Sequence, residues 1–301
     1  AGTVDKVNVK SVDAAGAPQA TTDGATPEAE ETPASWGTIV EDSPIFVGGV
    51  EPSLLAVDEL NDYLSKLNRF PGRQVTTAIS PGENSGTLLL DYLVDEETFS
   101  VYAQASNTGT DTTSEWIERF GIFATQLGGN DDILSVEGTT GNFKNATRSI
   151  NAYYDSRLGD SPDWRYRVTG TWGDYTAADV GFLAQDFTGS THSFQGDLIW
   201  NFYQDGDFFL DLDIGMRYWN AKAKSKLWGW VLSDGDSDFL TPTLSISAFE
   251  LKPESIFQAT LGVNYTSADG DQSQLNQLGR LNTSEEWCCR VFEKIVPVSY
   301  S

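Results

Sequence analysis

Asp211 and Asp213 stand two residues apart, a spacing that puts both carboxylates on one face of a β-strand. Paired acids can serve as general acid and base on a glycosidic bond. Their surroundings argue against that use. From Asp207 to Tyr218 one parity holds Phe208, Leu210, Leu212, Ile214, Met216 and Tyr218, and the other holds Asp207, Phe209, Asp211, Asp213, Gly215 and Arg217. One face is apolar and the other mostly charged or small, so the two acids read as part of a wet wall. Arg165 and Arg167, on the polar parity of their own segment, are candidates to pair with such acids.

The remaining chemistry-bearing residues yield little. Asp234-Gly235-Asp236-Ser237-Asp238 has the flavour of a calcium loop, but Phe239 stands where an EF-hand needs Gly and Ser245 where it needs Glu. The segment reads as a solvated hairpin loop. The single histidine, His192, lies near a turn by its neighbours and makes a histidine triad or a multi-histidine metal site untenable. The two cysteines, Cys288 and Cys289, are adjacent and exclude a disulfide framework or a four-cysteine zinc site. With 44 acidic and 19 basic residues the formal charge is −25, too short of clustered Lys and Arg for a nucleic-acid surface. No catalytic residue, cofactor or metal is expected, and the chain reads as a non-enzyme.

The elements around these residues fall into three zones: 1–98, 99–267 and 268–301. In the first, Val4–Val9 alternates as a strand, and 13–38 is an acidic insertion rich in Ala, Thr, Pro, Gly and Glu without apolar periodicity. Leu54, Val57, Leu60, Leu64 and Leu67 recur at helical spacing, and Pro71-Gly72 ends that helix. Strands follow at 74–79 and 87–94, joined by a turn over 80–86. The first zone is therefore a small α+β module.

The second zone alternates at period two over about ten long segments, with Gly, Asn and Asp clusters between them. Trp164, Tyr166, Val168, Gly170 and Trp172 oppose Arg165, Arg167, Thr169 and Thr171, and 257–265 repeats the pattern. Long hairpin-linked strands with one apolar face suit an antiparallel barrel with a polar lumen. Aromatics near strand ends, Phe99, Trp164, Trp172, Tyr218, Trp219 and Tyr265, suit interfacial girdles. A large soluble sandwich or propeller is the competing arrangement. The tail around Trp287–Val296 reads as leaving the barrel pattern.

Residues 67–94 carry a resemblance. Leu67-Asn68-Arg69-Phe70-Pro71-Gly72-Arg73-Gln74-Val75, then Pro81-Gly82-Glu83-Asn84-Ser85-Gly86-Thr87, is similar to the POTRA domain of two-partner secretion translocators, the haemolysin secretion/activation proteins of the ShlB, FhaC and HecB type. Asn107–Thr110 and Glu115–Gly121 look like that family's first barrel hairpin, and Leu127–Asp131 like its next turn.

The resemblance implies a POTRA-like domain at 1–98 and an outer-membrane β-barrel over 99–267, with 268–301 an atypical tail. It departs from the family in showing one POTRA domain rather than two, too few strands for a complete barrel, and no match to the lumen-loop motif. The chain thus reads as a truncated or frame-altered fragment. Leu67, Asn68, Pro71, Gly72, Pro81, Gly82, Gly86 and Thr87 are expected to shape the module. Gln74, Val75, Thr76 and Thr77 are expected to bind an unfolded secreted client by strand addition. Asp207, Asp211, Asp213 and Arg217 are expected to face the lumen. The implied setting is the outer membrane, in contact with its lipid, with the module in the periplasm. A BamA-like assembly factor and a soluble β-rich adhesin are the alternatives.

Overall fold

The computed structural model describes residues 3–12, 39–45, 55–70, 72–82, 84–110, 113–142, 144–180, 182–252, 255–269 and 285–297. The acidic segment 13–38, Leu54 and Pro71 lie outside them.

The N-terminal part forms a three-stranded sheet of β1 (Thr3–Ser11), β2 (Arg73–Pro81) and β3 (Thr87–Glu96) in the order β1-β3-β2. β1 runs parallel to β3, and β2 antiparallel to it. Helix α1 (Val57–Asn68) covers one face. Asp58 and Glu59 sit in its first turn and Lys66 in its last, each sign favoured by the helix dipole. Its spacing buries Leu60, Tyr63 and Leu67 against Val4, Val75, Leu90, Tyr92 and Val94. Val57, expected on that face, is exposed. The Tyr63 and Tyr92 rings meet edge to face at 6.1 Å. The Tyr63 hydroxyl donates to the Ile39 carbonyl at 2.8 Å, tying the helical turn at 39–41 into this core.

Among the expected turn residues, Gly72, Gly82, Gly86 and Thr87 can be placed, whereas Pro71 lies outside the described residues. Gly72 has φ 87°, and a Cβ there would come within 2.6 Å of the Thr125 side chain. Gly86 has φ 92°, open only to glycine at low cost. Gly82 donates to the Thr87 carbonyl at 2.9 Å, and the Thr87 hydroxyl donates to the Asn84 carbonyl at 2.9 Å, which closes the β2–β3 turn.

A second sheet holds β4 (Phe99–Ser106), β5 (Ile117–Thr125), β6 (Ile133–Gly141), β7 (Lys144–Arg157), β8 (Trp164–Val180), β9 (Gln185–Asp205), β10 (Phe208–Leu227), β11 (Trp230–Lys252), β12 (Ser255–Asp269) and β13 (Glu285–Pro297). Each strand pairs antiparallel with its neighbours in sequence, and the order leaves β4 and β13 as open edges among the described residues.

Three readings of the chain are corrected by the structure. The sheet has about the expected ten strands, but only nine fall between 99 and 269, and the tail, expected to leave the pattern, supplies the tenth, paired with β12 from Ser255↔Pro297 to Ser267↔Glu285. The acidic run Asp234–Asp238 lies inside β11 rather than in a loop. Asp234, Asp236 and Asp238 alternate onto one face, where Lys224, Lys222 and Asn220 on β10 answer them. Cross-strand charge pairing here outweighs the turn preference of Asp. His192 likewise lies within β9, opposite Trp172 and Asn220, and not beside a turn.

Register turns the alternation into a belt. Tyr166, Leu198, Ile214, Leu244 and Val263 stand opposite one another across five strands. Val101, Ile122 and Val136 continue the same face at the other side of the sheet. Ile214, Met216, Leu244, Leu261 and Val263 are exposed there. The inner face carries hydroxyl pairs such as Thr171–Ser193 at 2.6 Å and Ser247–Thr260 at 2.9 Å. Trp219 departs from the expected girdle: it faces inward and stacks on Phe239 with centroids 4.0 Å apart.

Candidate functional site

The module meets the sheet at the end where β7–β8 and β9–β10 turn. Helix α1 lies along those turns. Asp62 accepts from the Gly206 backbone N–H at 3.0 Å, and the Ser65 hydroxyl donates to Asp207 at 2.5 Å. Lys66 pairs with Asp163. Arg69, just past the last turn of α1, reaches the inner wall and pairs with Asp211. Its guanidinium lies 4.6 Å from the Phe209 ring centroid, 5.9 Å from Phe249 and 5.6 Å from Phe70. This explains Phe209, an apolar residue on the polar parity. It is fully buried because the module covers it.

A second group of charges lies deeper. Arg73, the first residue of β2, pairs with Asp131 in the β5–β6 turn at 2.5 Å. Arg157 bridges Asp131 at 2.7 Å and Asp42 at 2.6 Å. Arg165 pairs with Asp155 at 2.5 Å and donates to the Asp131 carbonyl at 2.7 Å, and its guanidinium lies 4.0 Å from the Phe70 ring. Arg167 also pairs with Asp155, at 2.8 Å. Burial works against the Asp131 carboxylate, but the Arg73 and Arg157 guanidinium groups outweigh it and hold its pKa below the usual carboxylate range. The network ties three parts of the chain together: the 39–45 segment, β2 and the base of the sheet.

The expected lumen residues thus divide. Asp213 and Arg217 lie on the inner wall, with Arg217 5.6 Å from the Trp219 ring. Asp207 and Asp211 sit at the same end but are held by Ser65 and Arg69 of the module. Arg165 and Arg167 lie on the inner face as expected, but they pair with Asp155 instead of Asp211 or Asp213. Sequence reasoning gave Arg69, Phe70, Arg73, Asp131 and Asp155 no role. The signal available was weak: two arginines flanking Phe70-Pro71-Gly72, and acids at turn and strand ends.

The expected client-binding residues lie on β2, an edge strand of the module's sheet. Their backbones are not equivalent. The Asn68 carboxamide accepts from the Val75 N–H at 2.6 Å and donates to the Val75 carbonyl at 2.8 Å. Val75 therefore turns its backbone groups away from β3, and Gln74 and Thr76 turn theirs toward it. By the same period, Thr77 and Ile79 present N–H and C=O outward beyond the helix. Val75 is buried, whereas Gln74, Thr76 and Ile79 have exposed side chains. A cleft of about 910 Å³ opens beside Gln74, between Leu64 and Asn68 of α1 and Phe249, Leu251 and Ile256 of the sheet.

No protein-family model and no curated protein matches the chain. Solved structures do. CdiB from Escherichia coli matches at a TM-score of 0.63 and 15% identity, covering 96% of this chain and 50% of that one. CdiB from Acinetobacter baumannii matches at 0.49 and 14%, with coverages of 89% and 46%. BamA from Haemophilus ducreyi lacking POTRA domains 1–3 matches at 0.45 and 11%, with coverages of 91% and 57%. The chain spans about half the length of the Escherichia coli CdiB structure and shares its fold over that span.

Proposed function

We propose that this chain is part of an outer-membrane translocator that exports or activates a large secreted partner protein. The observation that carries the reading is the pairing of a two-faced antiparallel sheet with a small edge-bearing module seated at one end of its polar face. An apolar outer face needs lipid, and a polar inner face lets a polypeptide pass without meeting hydrocarbon. The module acts as a POTRA domain on the periplasmic side. An unfolded client pairs with β2 at Thr77 and Ile79 through backbone hydrogen bonds that demand little of its sequence. No bond is made or broken, so the function needs no catalytic residue and no cofactor.

The resemblance of residues 67–94 to two-partner secretion translocators and the fold shared with CdiB support this reading over general outer-membrane protein assembly. The complete gene supplies the test, because β4 and β13 are open edges here. Thr77→Pro removes one outward donor at the edge. Client export should fall severalfold while barrel insertion, read by heat-modifiable gel mobility, stays intact. Unchanged export from a normally folded variant would remove β2 as the docking edge. A defect in the membrane insertion of many outer-membrane proteins, with the secreted client unaffected, would favour assembly.

A further inference from the structure

On β10 and β11 the apolar belt ends near Tyr218, opposite Leu240. Beyond it the outer face turns polar: Lys222 pairs with Asp236 at 2.8 Å and Lys224 with Asp234 at 2.6 Å. The strands then run on to a second apolar feature about 34 Å along from Tyr218, ten residues at the rise of an antiparallel strand. The β10–β11 turn is Trp228-Gly229. Trp228 is 78% exposed and Trp230 79%, and Val231 and Leu232 are each more than half exposed. The neighbouring β8–β9 turn offers Phe182, fully exposed, and Leu183. Lys226 stands opposite Asp186, so the two turns end side by side.

The turn backbone adds an independent sign. Trp228 has φ 51° and Gly229 φ 84°. A two-residue turn with both φ values positive favours Asn-Gly, and a bulky aromatic in the left-handed region is an outlier. A tryptophan kept at a strained, solvent-exposed position signals use of its side chain.

We propose that this double tip is a wedge that inserts into a zwitterionic lipid surface facing the end of the sheet remote from the module. Trp230, Val231 and Leu232 are consecutive, so apolar side chains project from both faces of the hairpin. A rigid protein partner would cover one face only. A wedge apolar on both sides, with tryptophan at its apex, suits a fluid apolar medium with a polar boundary. The collar below it pairs Lys222 and Lys224 with aspartates, and the chain carries a formal charge of −25, so anionic headgroups are not favoured.

The inference rests on the membrane reading only in that the belt already occupies a bilayer of its own. The product of the complete gene, in which the open edges β4 and β13 find their partners, is placed in lipid nanodiscs, and its incorporation is read by size exclusion before any vesicle is added, so loss of the membrane reading and loss of the wedge are told apart. Flotation with phosphatidylcholine vesicles then tests the tip. The variant Trp228→Asn with Trp230→Thr relieves the turn, so its unfolding midpoint should hold or rise while its co-flotation falls at least tenfold. Failure of the wild-type chain in discs to float, or equal flotation of the variant, overturns the proposal. So does cross-linking of Trp230→Cys copies to one another tip to tip, which would make a second copy the occupant.

Discussion

Arg73 and Asp131 meet at 2.5 Å across 58 residues of sequence, with side chains 3% and 4% exposed. One begins the edge strand of the module and the other sits in a turn at the base of the large sheet. A buried pair of this kind fixes geometry more than it adds stability, because desolvation of both ions offsets their attraction. Removing one partner is another matter. Arg73→Ala leaves the Asp131 carboxylate with Arg157 as its remaining salt-bridge partner and Arg165 nearby, so the cost should fall below the about 3–5 kcal/mol of a fully orphaned buried charge. Limited proteolysis should then cut between β3 and β4 far faster than in the wild-type chain. Unchanged protection would show that helix α1 alone holds the module.

The same carboxylate sets a pH dependence. The Asp131 pKa is lowered below its ordinary 3.8, with burial opposing the two arginines that prevail. Its contribution is therefore complete above the unfolded value and is lost as pH falls through the lower, folded one. The junction should hold at pH 5–7 and loosen only below about pH 4. Asp131→Asn should flatten that acid limb. Protease protection followed against pH checks both, and an identical acid limb in the variant would place the titration elsewhere.

The two faces of β10 should respond oppositely to one substitution. Ile214→Arg puts a cation in the exposed belt, at a cost of about 2–4 kcal/mol if that position lies at mid-bilayer. Asp213→Arg changes a polar wall and should insert normally while altering conductance. Equal insertion defects would mean that both faces are buried, as in a soluble sandwich.

Asn68→Ala removes both side-chain bonds to the Val75 backbone. The module should lose about 1–3 kcal/mol, the cost of leaving partly buried backbone groups unmet. Chemical denaturation of the chain reads this directly, and a midpoint shift near zero would show that water replaces the carboxamide.

Period-two alternation made the large sheet legible, and helical spacing with Pro-Gly turns made the module legible. Both are local signals. The junction was not legible, because Arg73 and Asp131 or Arg69 and Asp211 find each other only after register and docking are set. Alternation assigned Phe209 to a wet wall, since nothing local says that an arginine from α1 will cover it. Composition misled at Asp234–Asp238, where turn-forming residues lie within a strand because lysines stand across from them. At Trp219 parity would have given the inward face, but proximity to a strand end suggested a girdle. The tail lacked the apolar alternation of the other strands, and its pairing with β12 is a property of the sheet's edge.

In the proposed reading, the bracket of Asn68 on Val75 also sets how long a client strand can stay on β2. It closes the edge on its helix side and leaves the outward groups of Thr77 and Ile79, room for about four backbone hydrogen bonds. At about 1 kcal/mol net for each, the grip totals about 4 kcal/mol before ordering costs, a dissociation constant no tighter than about 1 mM. Residence is correspondingly brief, and each stretch of a passing chain is released about as easily as it is taken. A longer edge would hold its guest more firmly and slow its transit.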